Sequence, residues 1–386
     1  VAVIHYSVSG EGRGHASRAR VLIDRLRVRH RVVVHCYGDA EAILAPLYRG
    51  TDVLVRSIPG LRFAYDQQGR LQHGLSLVRA LPFLWQLREE TRHLARLLAA
   101  DRADLALVDF EPLLPRAARL AGVPVMAVDH QQFLTACDLS FLPWRLQAGA
   151  ALLARFVRAF YGGALPSVIS SFFSPPLRRR APNVVQAGVL LRREFLEQAP
   201  RNGKYLVAYL RRHPPEAVLS ALLYCGHPVR VYGAAETGTW ANLTFRPLSA
   251  DGFADDLAGS LGLLTTAGNQ VIGEALSLEK PVLAYPEPGN IEQSINAHFI
   301  NTLRVGRAVP VEQFTPELVA DFVDQAPTFA RRIDARRVDG SAVALRAIEA
   351  QLEGRPFPAI ATSERAQLGP KAGLARPSMA PRPGPA

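Results

Sequence analysis

The chain has 386 residues, nearly half of them apolar, and a net charge of +11 carried almost wholly by arginine. That length predicts two domains, and no apolar run reaches the roughly 18–20 residues of a membrane span. Three widely spaced cysteines (Cys36, Cys137, Cys225) form no CxxC pair, which argues for a reducing compartment and against a structural zinc. The basic balance suits an anionic partner: a phosphate-bearing substrate, an acidic membrane surface or nucleic acid. The opening VAVIHYSV reads as a strand with no basic leader, so the expected location is cytoplasmic.

Val1–Ser7 reads as a strand, Gly10-Glu11-Gly12-Arg13-Gly14-His15 as a glycine-rich turn, Ala16–Arg29 as a helix and Arg31–Tyr37 as the next strand. Glycines let the backbone turn tightly near a ligand, and a helix N-terminus favours anions. The spacing GxGxG-His is not the GxGxxG of dinucleotide oxidoreductases. His15, above a strand end, is placed to act as a general base or to touch an anion; its plainer role is a local hydrogen bond at the helix start. Asp39–Tyr48 (helix), Asp52–Ile58 (strand) and a polar loop, Pro59–Gln72, follow. Leu75–Ala100 is a long amphipathic segment with Arg79, Arg88, Arg92 and Arg96 set against leucines. Strands Asp104–Val108 and Val123–Val128 flank a helix at Leu113–Ala121 and deliver Asp109, Glu111, Asp129 and His130 to the same face as His15. These are site candidates, with helix caps and turn formers as the alternative for the acids. Leu142–Leu165 is basic, apolar and helical, either resting on an anionic membrane or packing on the core with an exposed arginine face.

Strand-like Ser167–Phe173 runs into the Pro- and Arg-rich SPPLRRRAPN, read as an interdomain linker. A second set of strands and helices begins at Val184–Ala187. The strand Gly203–Tyr209 ends in Leu210-Arg211-Arg212-His213, where the arginines can hold a phosphate or sit in a solvated turn. After a strand at His227–Tyr232 and Leu243–Phe245, the stretch from Leu263 to Ala297 reads as strand–turn–helix twice over. Its polar residues, Thr266, Gly268, Asn269, Asn290, Glu292 and Gln293 among them, fall where ligands sit in parallel α/β units, outside the carboxyl ends of strands. Glu274, one turn inside the first of these helices, either complements the helix N-terminus or accepts hydrogen bonds from a sugar diol. Helices near Thr315–Asp324 and Ser341–Leu352 precede a Pro/Ala/Gly/Ser-rich tail without apolar period.

The segments GEGRGHASR (10–18), LALVDFEPL (105–113), VPVMAVDHQ (123–131) and TTAGNQVIGEAL…KPVLAYPEPGNIEQSINA (265–297) resemble glycosyltransferases of the GT-B fold. The chain looks closest to the bacterial and archaeal group beginning GxGxGHxxR, and is more distantly similar to the lipid-II-forming N-acetylglucosaminyltransferase (family 28). The resemblance covers roughly residues 1–350 and implies an α/β protein of two Rossmann-like parallel-sheet domains facing a cleft. The expected division is an acceptor-binding domain at 1–165, a linker at 166–183, a nucleotide-sugar-binding domain at 184–354 and a disordered tail at 355–386.

Residue by residue, the resemblance implies that Glu274 holds the ribose hydroxyls. It sets Thr266, Ala267, Gly268 and Asn269 beside the diphosphate, with Gly12 and Gly14 across from them. Gln293, with Asn290 and Glu292, matches positions that contact the donor sugar, and Phe245 or Phe253 falls where the base is held. His15 matches the loop histidine proposed as base or diphosphate contact, with Asp109 and His130 as further catalytic candidates. Where relatives carry a Gly-Gly-Ser-type phosphate loop, this chain has Leu210-Arg211-Arg212-His213, so Arg211 stands in as a phosphate ligand.

The implied reaction moves a sugar from a nucleotide-diphosphate sugar, UDP-linked by resemblance, to an acceptor hydroxyl that the sequence does not name; the basic, apolar helices of the first domain point to a lipid-linked or membrane-held one. No cofactor and no DxD-like metal motif is expected. Retaining relatives carry glutamates eight positions apart around the equivalent of Glu274; here those positions hold Thr266 and Val282, which favours inversion. Two other functions fit the residues: a nucleotide-sugar epimerase using Asp109, Glu111 and His130, and a non-catalytic membrane- or polyanion-binding protein.

Overall fold

A computed structural model describes residues 1–61, 73–179, 183–210, 214–234, 236–247 and 249–357. In chain order the first half holds β1 (Val3–Val8), α1 (Arg13–Leu26), β2 (Arg31–Cys36), α2 (Gly38–Leu47), β3 (Leu54–Ser57), α3 (His73–Ala100), β4 (Leu105–Asp109), α4 (Leu113–Ala121), β5 (Val125–Asp129), α5 (Phe133–Ala136), α6 (Trp144–Tyr161), β6 (Ser167–Ser170) and β7 (Val184–Ala187). Its seven strands form one parallel sheet in the order β3-β2-β1-β4-β5-β6-β7. Helices cover both faces, so the central strands are apolar almost throughout: all five residues of β4 are buried.

The second half holds α7 (Arg193–Leu196), β8 (Leu206–Tyr209), α8 (Glu216–Leu223), β9 (Val229–Tyr232), β10 (Gly238–Trp240), β11 (Leu243–Arg246), α9 (Ala250–Ala258), β12 (Leu263–Thr265), α10 (Asn269–Ser277), β13 (Val282–Ala284), α11 (Ile291–Leu303), β14 (Gly306–Ala308), α12 (Pro316–Ala330) and α13 (Ser341–Leu352). Its sheet runs β10-β11-β9-β8-β12-β13-β14, parallel except for the edge pair β10–β11. Two Rossmann-like sheets in tandem make this the GT-B fold.

The division between the halves differs from the expected one. Ser167–Ser170, placed in the linker, and Val184–Ala187, placed at the start of the second domain, are β6 and β7 of the first sheet. Open sheet edges recruit strands that follow in sequence, and a Pro-rich loop between two strands does not make a domain boundary. The chain crosses over after β7, at Gly188–Leu191, and returns at Val338–Gly340, where Val189 bridges Asp339. Helix α13 then packs back on the first half, with Ala344, Ala347 and Ile348 in one core with Ile4, Leu22 and Val185. β10 (Gly-Thr-Trp) and β14 (Gly-Arg-Ala) escaped the sequence reading because they lack the apolar run that revealed strands of the same length such as β12, and α5 and α7 are too short to show a helical period.

The halves meet through a continuous apolar core that holds Phe133 and Phe173 from the first and Ile272 and Phe299 from the second. Phe173 stacks on Phe299 with centroids 3.8 Å apart; such a pair contributes about 0.5–1.5 kcal/mol beyond its buried area. Gly273 lets α10 approach the crossover, since a Cβ there would lie 2.2 Å from Cγ2 of Val189. Helix α6 packs on the core with an exposed arginine-bearing face. Ala150, Ala154, Val157 and Phe160 are buried, while Trp144, Arg145, Leu152, Arg155 and Phe156 are exposed. The polar loop after Pro59, from residue 62 on, the side chain of Arg79 and the tail from residue 358 lie outside the described residues.

Candidate functional site

The C-terminal end of β1 leads through Ser9–Gly12 into α1. Gly12 is the N-cap, with φ +85°, a conformation that favours glycine, and its helix has neither a side-chain cap nor an acid in its first turn. His15 and Arg18 stand three apart on this helix and therefore share a face. Both point at Asp109, the last residue of the neighbouring β4. His15 Nδ1 lies 2.8 Å from Asp109 Oδ1. Arg18 donates from Nε to Oδ2 at 2.8 Å and from Nη2 to Oδ1 at 2.6 Å. Asp109 is fully buried and Arg18 nearly so.

Burial alone would push the Asp109 carboxyl up, but the Arg18 guanidinium and the His15 ring hold it below the usual carboxylate range. Burial likewise opposes the Arg18 charge, and Asp109 more than restores it. An ionised carboxylate 2.8 Å from Nδ1 requires a proton between them, so Nδ1 donates, and it is in the neutral ring that Nε2 carries a lone pair. Among the described residues, the polar contacts of the His15 ring are at Nδ1, which donates to Asp109 and stands 3.0 Å from Arg18 Nη2. This is the arrangement of a general base oriented by a carboxylate.

Phe110 follows Asp109 with φ 50°, a left-handed conformation costing of order 1–3 kcal/mol for a bulky residue. Tyr161 of α6 holds it there: its hydroxyl accepts the Phe110 amide at 2.8 Å and donates to Asp129. The Phe110 ring is thereby turned parallel to His15, centroids 6.1 Å apart, and against Phe160 at 4.7 Å. Phe160 in turn meets Phe156, so an aromatic lane runs from His15 to the exposed face of α6.

The other acids are structural. Glu111 accepts the amides of Leu113 and Leu114 at the start of α4, and burial pushes its carboxyl up to about 7. Asp129 accepts the Gln132 amide, and burial together with the Asp109 charge pushes it up to about 6. His130, expected to be catalytic, is not open to a substrate. It is 1% exposed, lies 3.1 Å from Asn296 Oδ1 of α11 and packs on Phe133 and Phe173, so burial drives it towards the neutral form.

Across the cleft, α10 begins at Gly268 with no side-chain cap and no acid in its first turn. The first turns of α1 and α10 approach one another: a Cβ on Gly14 would stand 3.6 Å from Gln270 Cβ. Two helix N-termini thus converge, and each favours an anion.

Most of the other described residues expected to bind donor have protein partners. Thr266 is half-buried and Ala267 buried; the Ala267 carbonyl accepts from Asn296. Asn269 ties the halves together through the Ser170 carbonyl and the Phe172 amide. Glu292 accepts from Gln131 at 2.9 Å, again across the halves. Asn290 caps α11 by accepting the Gln293 amide, and Gln293 bonds to Glu287. Glu274 is 2% exposed; its Oε1 accepts from Arg192 at 3.0 Å and Gln270 at 3.1 Å. Of the two aromatic candidates, Phe253 is a core residue among Phe195, Tyr209 and Tyr232, while Phe245 is half-buried on β11. Arg211, with Arg212 and His213, lies outside the described residues.

The sequence reading gave no role to Arg18, the last residue of its GxGxGHxxR motif, and did not single out Tyr161 or Arg192. Arg18 had a usable signal, its helical spacing from His15; Tyr161 and Arg192 have none locally, since their partners lie far along the chain.

A family model described as glycosyl transferase family 1 matches residues 2–327. An uncharacterised glycosyltransferase of Methanopyrus kandleri is 33% identical over 64 residues, a match spanning 17% of this chain and 19% of that relative's length. Solved structures resemble the chain over most of its length. The glycotransferase of kitacinnamycin is 18% identical at a TM-score of 0.63, covering 90% of this chain and 98% of that one. Phytolacca americana UGT2, complexed with UDP-2-fluoro-glucose and pterostilbene, is 14% identical at a TM-score of 0.64, covering 92% of this chain and 100% of that one. A UDP-glucosyltransferase from Polygonum tinctorium capable of glucosylating indoxyl is 16% identical at 0.63, covering 91% and 98%. At such identities the likeness carries the fold alone.

Proposed function

The chain belongs to the family described as glycosyl transferase family 1, and on that premise we propose that it moves a sugar from a UDP-sugar to an acceptor hydroxyl with inversion, using His15 as the base. The observation that carries this reading is the Nδ1-anchored His15 on Asp109, set where two uncapped helix N-termini converge. In the proposed step Nε2 of His15 takes the acceptor hydroxyl proton. The acceptor oxygen attacks the anomeric carbon from the side opposite the diphosphate, and the carbon–oxygen bond to the diphosphate breaks. The amides opening α1 and α10 receive the negative charge released. Because those amides supply the positive potential, transfer is expected to persist in a chelator.

Glu274 is proposed to hold the ribose. Among the described residues its recorded bonds go to Oε1, which leaves Oε2 to accept from a diol while Arg192 and Gln270 fix the carboxylate. This assignment follows the resemblance to the lipid-II-forming enzyme.

The acceptor is proposed to be membrane-held. Trp144, Leu152 and Phe156 are exposed on α6 beside Arg145, Arg155 and Arg158, and the helix contains no acid. No helix among the described residues is long and apolar enough to cross a membrane, so contact would be peripheral. Sedimentation with anionic vesicles tests this: binding should fall when the three arginines become glutamine, and unchanged binding would remove the membrane from the reading.

The donor half is tested by calorimetry and thermal shift with nucleoside diphosphates. UDP is expected to stabilise the protein by an amount that rises with the logarithm of its concentration above Kd. No shift with any nucleoside diphosphate would count against the reading as a whole.

A further inference from the structure

A base in a histidine–carboxylate pair has a built-in conflict. The carboxylate must orient the ring, but a bare buried carboxylate also stabilises the imidazolium and leaves the ring already protonated. Arg18 bears directly on this conflict. Its guanidinium forks side-on over Asp109, occupying Oδ2 from Nε and sharing Oδ1 with His15 from Nη2. The same Nη2 stands 3.0 Å from His15 Nδ1. The fork is possible only because Arg18 is three residues after His15 on α1 and its stem is buried against the sheet.

We propose that Arg18 is a positioning residue of the transfer reaction: by neutralising Asp109 from behind, it keeps His15 a free base while leaving Oδ1 to fix the Nδ1–H tautomer. The inference rests on the reading of His15 as the base. A carboxylate paired this way still accepts the Nδ1 proton but presents no net charge to the ring, and the adjacent guanidinium opposes a second positive charge at 3.0 Å. Lysine could supply charge but not the side-on fork, since guanidinium is planar and bidentate.

The other groups around the cluster do not substitute for Arg18. On β1 the Tyr6 hydroxyl is buried and burial holds it protonated. On β5 Asp129 is bonded to Tyr161 of α6 and to the Gln132 amide, and burial favours its neutral form. On α10 the Glu274 carboxylate is already paired with Arg192. Arg18 is thus the cation in contact with Asp109 among the described residues.

The experiment compares wild type with Arg18→Met and Arg18→Gln, which lack the charge, and Arg18→Lys, which keeps it. The first readout is the ring nitrogen NMR spectrum of His15, which needs no turnover. Wild type should show the Nδ1–H tautomer, Arg18→Lys should retain it, and the uncharged variants should protonate the ring at higher pH by about one unit or more. The second is the acid limb of kcat/KM for transfer, which should move up by the same amount in the uncharged variants and return in Arg18→Lys. A loss of rate equal at every pH, with the ring spectrum unchanged, would overturn the proposal and leave Arg18 a purely structural residue. If no nucleotide sugar is turned over by wild type, the transferase reading fails, while the NMR comparison still decides the role of Arg18 at the ring. Should Arg18→Met not fold, Arg18→Gln and Arg18→Lys carry the comparison by themselves.

Discussion

Replacing Asp109 by asparagine exchanges one carboxylate oxygen for an NH2 group and disturbs several interactions at once. The carboxylate receives hydrogen bonds at 2.6, 2.8 and 2.8 Å from one cation and one imidazole. In Asp109→Asn the charge is gone and one oxygen becomes an NH2 donor, which cannot accept from Arg18 or from Nδ1. Arg18 then remains buried and unpaired, a change that costs about 3–5 kcal/mol when one partner of a buried pair is removed. Separately, the ring loses the acceptor that selects its tautomer, and a misoriented base costs about 10²–10⁴-fold in rate. The two effects separate experimentally: urea unfolding reads the first, and kcat at saturating donor on the folded fraction reads the second. UDP affinity should stay within about threefold, because the donor half does not touch Asp109. Wild-type kcat in a folded Asp109→Asn protein would refute the claim that Asp109 orients a base.

Glu274→Gln should keep a hydrogen bond to Arg192 but weaken UDP binding by about tenfold, since a neutral amide is a poorer acceptor for a ribose diol; equal UDP affinity by calorimetry would remove the ribose assignment. Glu274→Ala should lose the UDP thermal shift and also destabilise the protein, because Arg192 is left buried without its partner. His5 and His35 lie 2.9 Å apart inside the first sheet, and burial lowers them to about 4 and about 3. Their folded values lie below the unfolded one, so they remove stability as pH falls through 6.5 and the unfolded chain takes up protons first. The difference in urea midpoint between wild type and His35→Gln should therefore shift against wild type from pH 7 to pH 4, and a constant difference would contradict it. Gly273→Ala should cost about 1–3 kcal/mol in urea unfolding, as the new methyl meets Val189 at the crossover between halves; a neutral result would mean that α10 shifts without cost.

Regular alternation made the architecture legible. Apolar runs such as LALVD and helical periods such as Ala19–Leu26 are local, and they gave most of the longer elements and the tandem α/β plan. The site was legible only where chemistry coincided with a strand end. His15 and Asp109 were found that way, yet their contact spans 94 positions, and nothing local says that they meet. Glu274 was picked out by its place in a helix, whereas its partner Arg192 stands 82 positions earlier in an unremarkable Leu-Leu-Arg-Arg stretch. His130 misled because a histidine at a strand end can serve substrate or interface equally well. Here α11 covers it through Asn296, and that choice belongs to the packing of two domains. The domain boundary misled for a similar reason: β6 and β7 are joined by a Pro-rich loop that looks like a linker until the strand pairing is known.

The central claim is that His15 deprotonates an acceptor while the second half holds a UDP-sugar. The most direct measurement is proton NMR of the anomeric centre during transfer from an α-linked UDP-sugar, run side by side with wild type and His15→Ala. The account predicts a β-linked product from wild type and at least a hundredfold slower transfer from His15→Ala, with UDP binding intact in both. An α-linked product, or a His15→Ala protein that transfers at the wild-type rate, would contradict it.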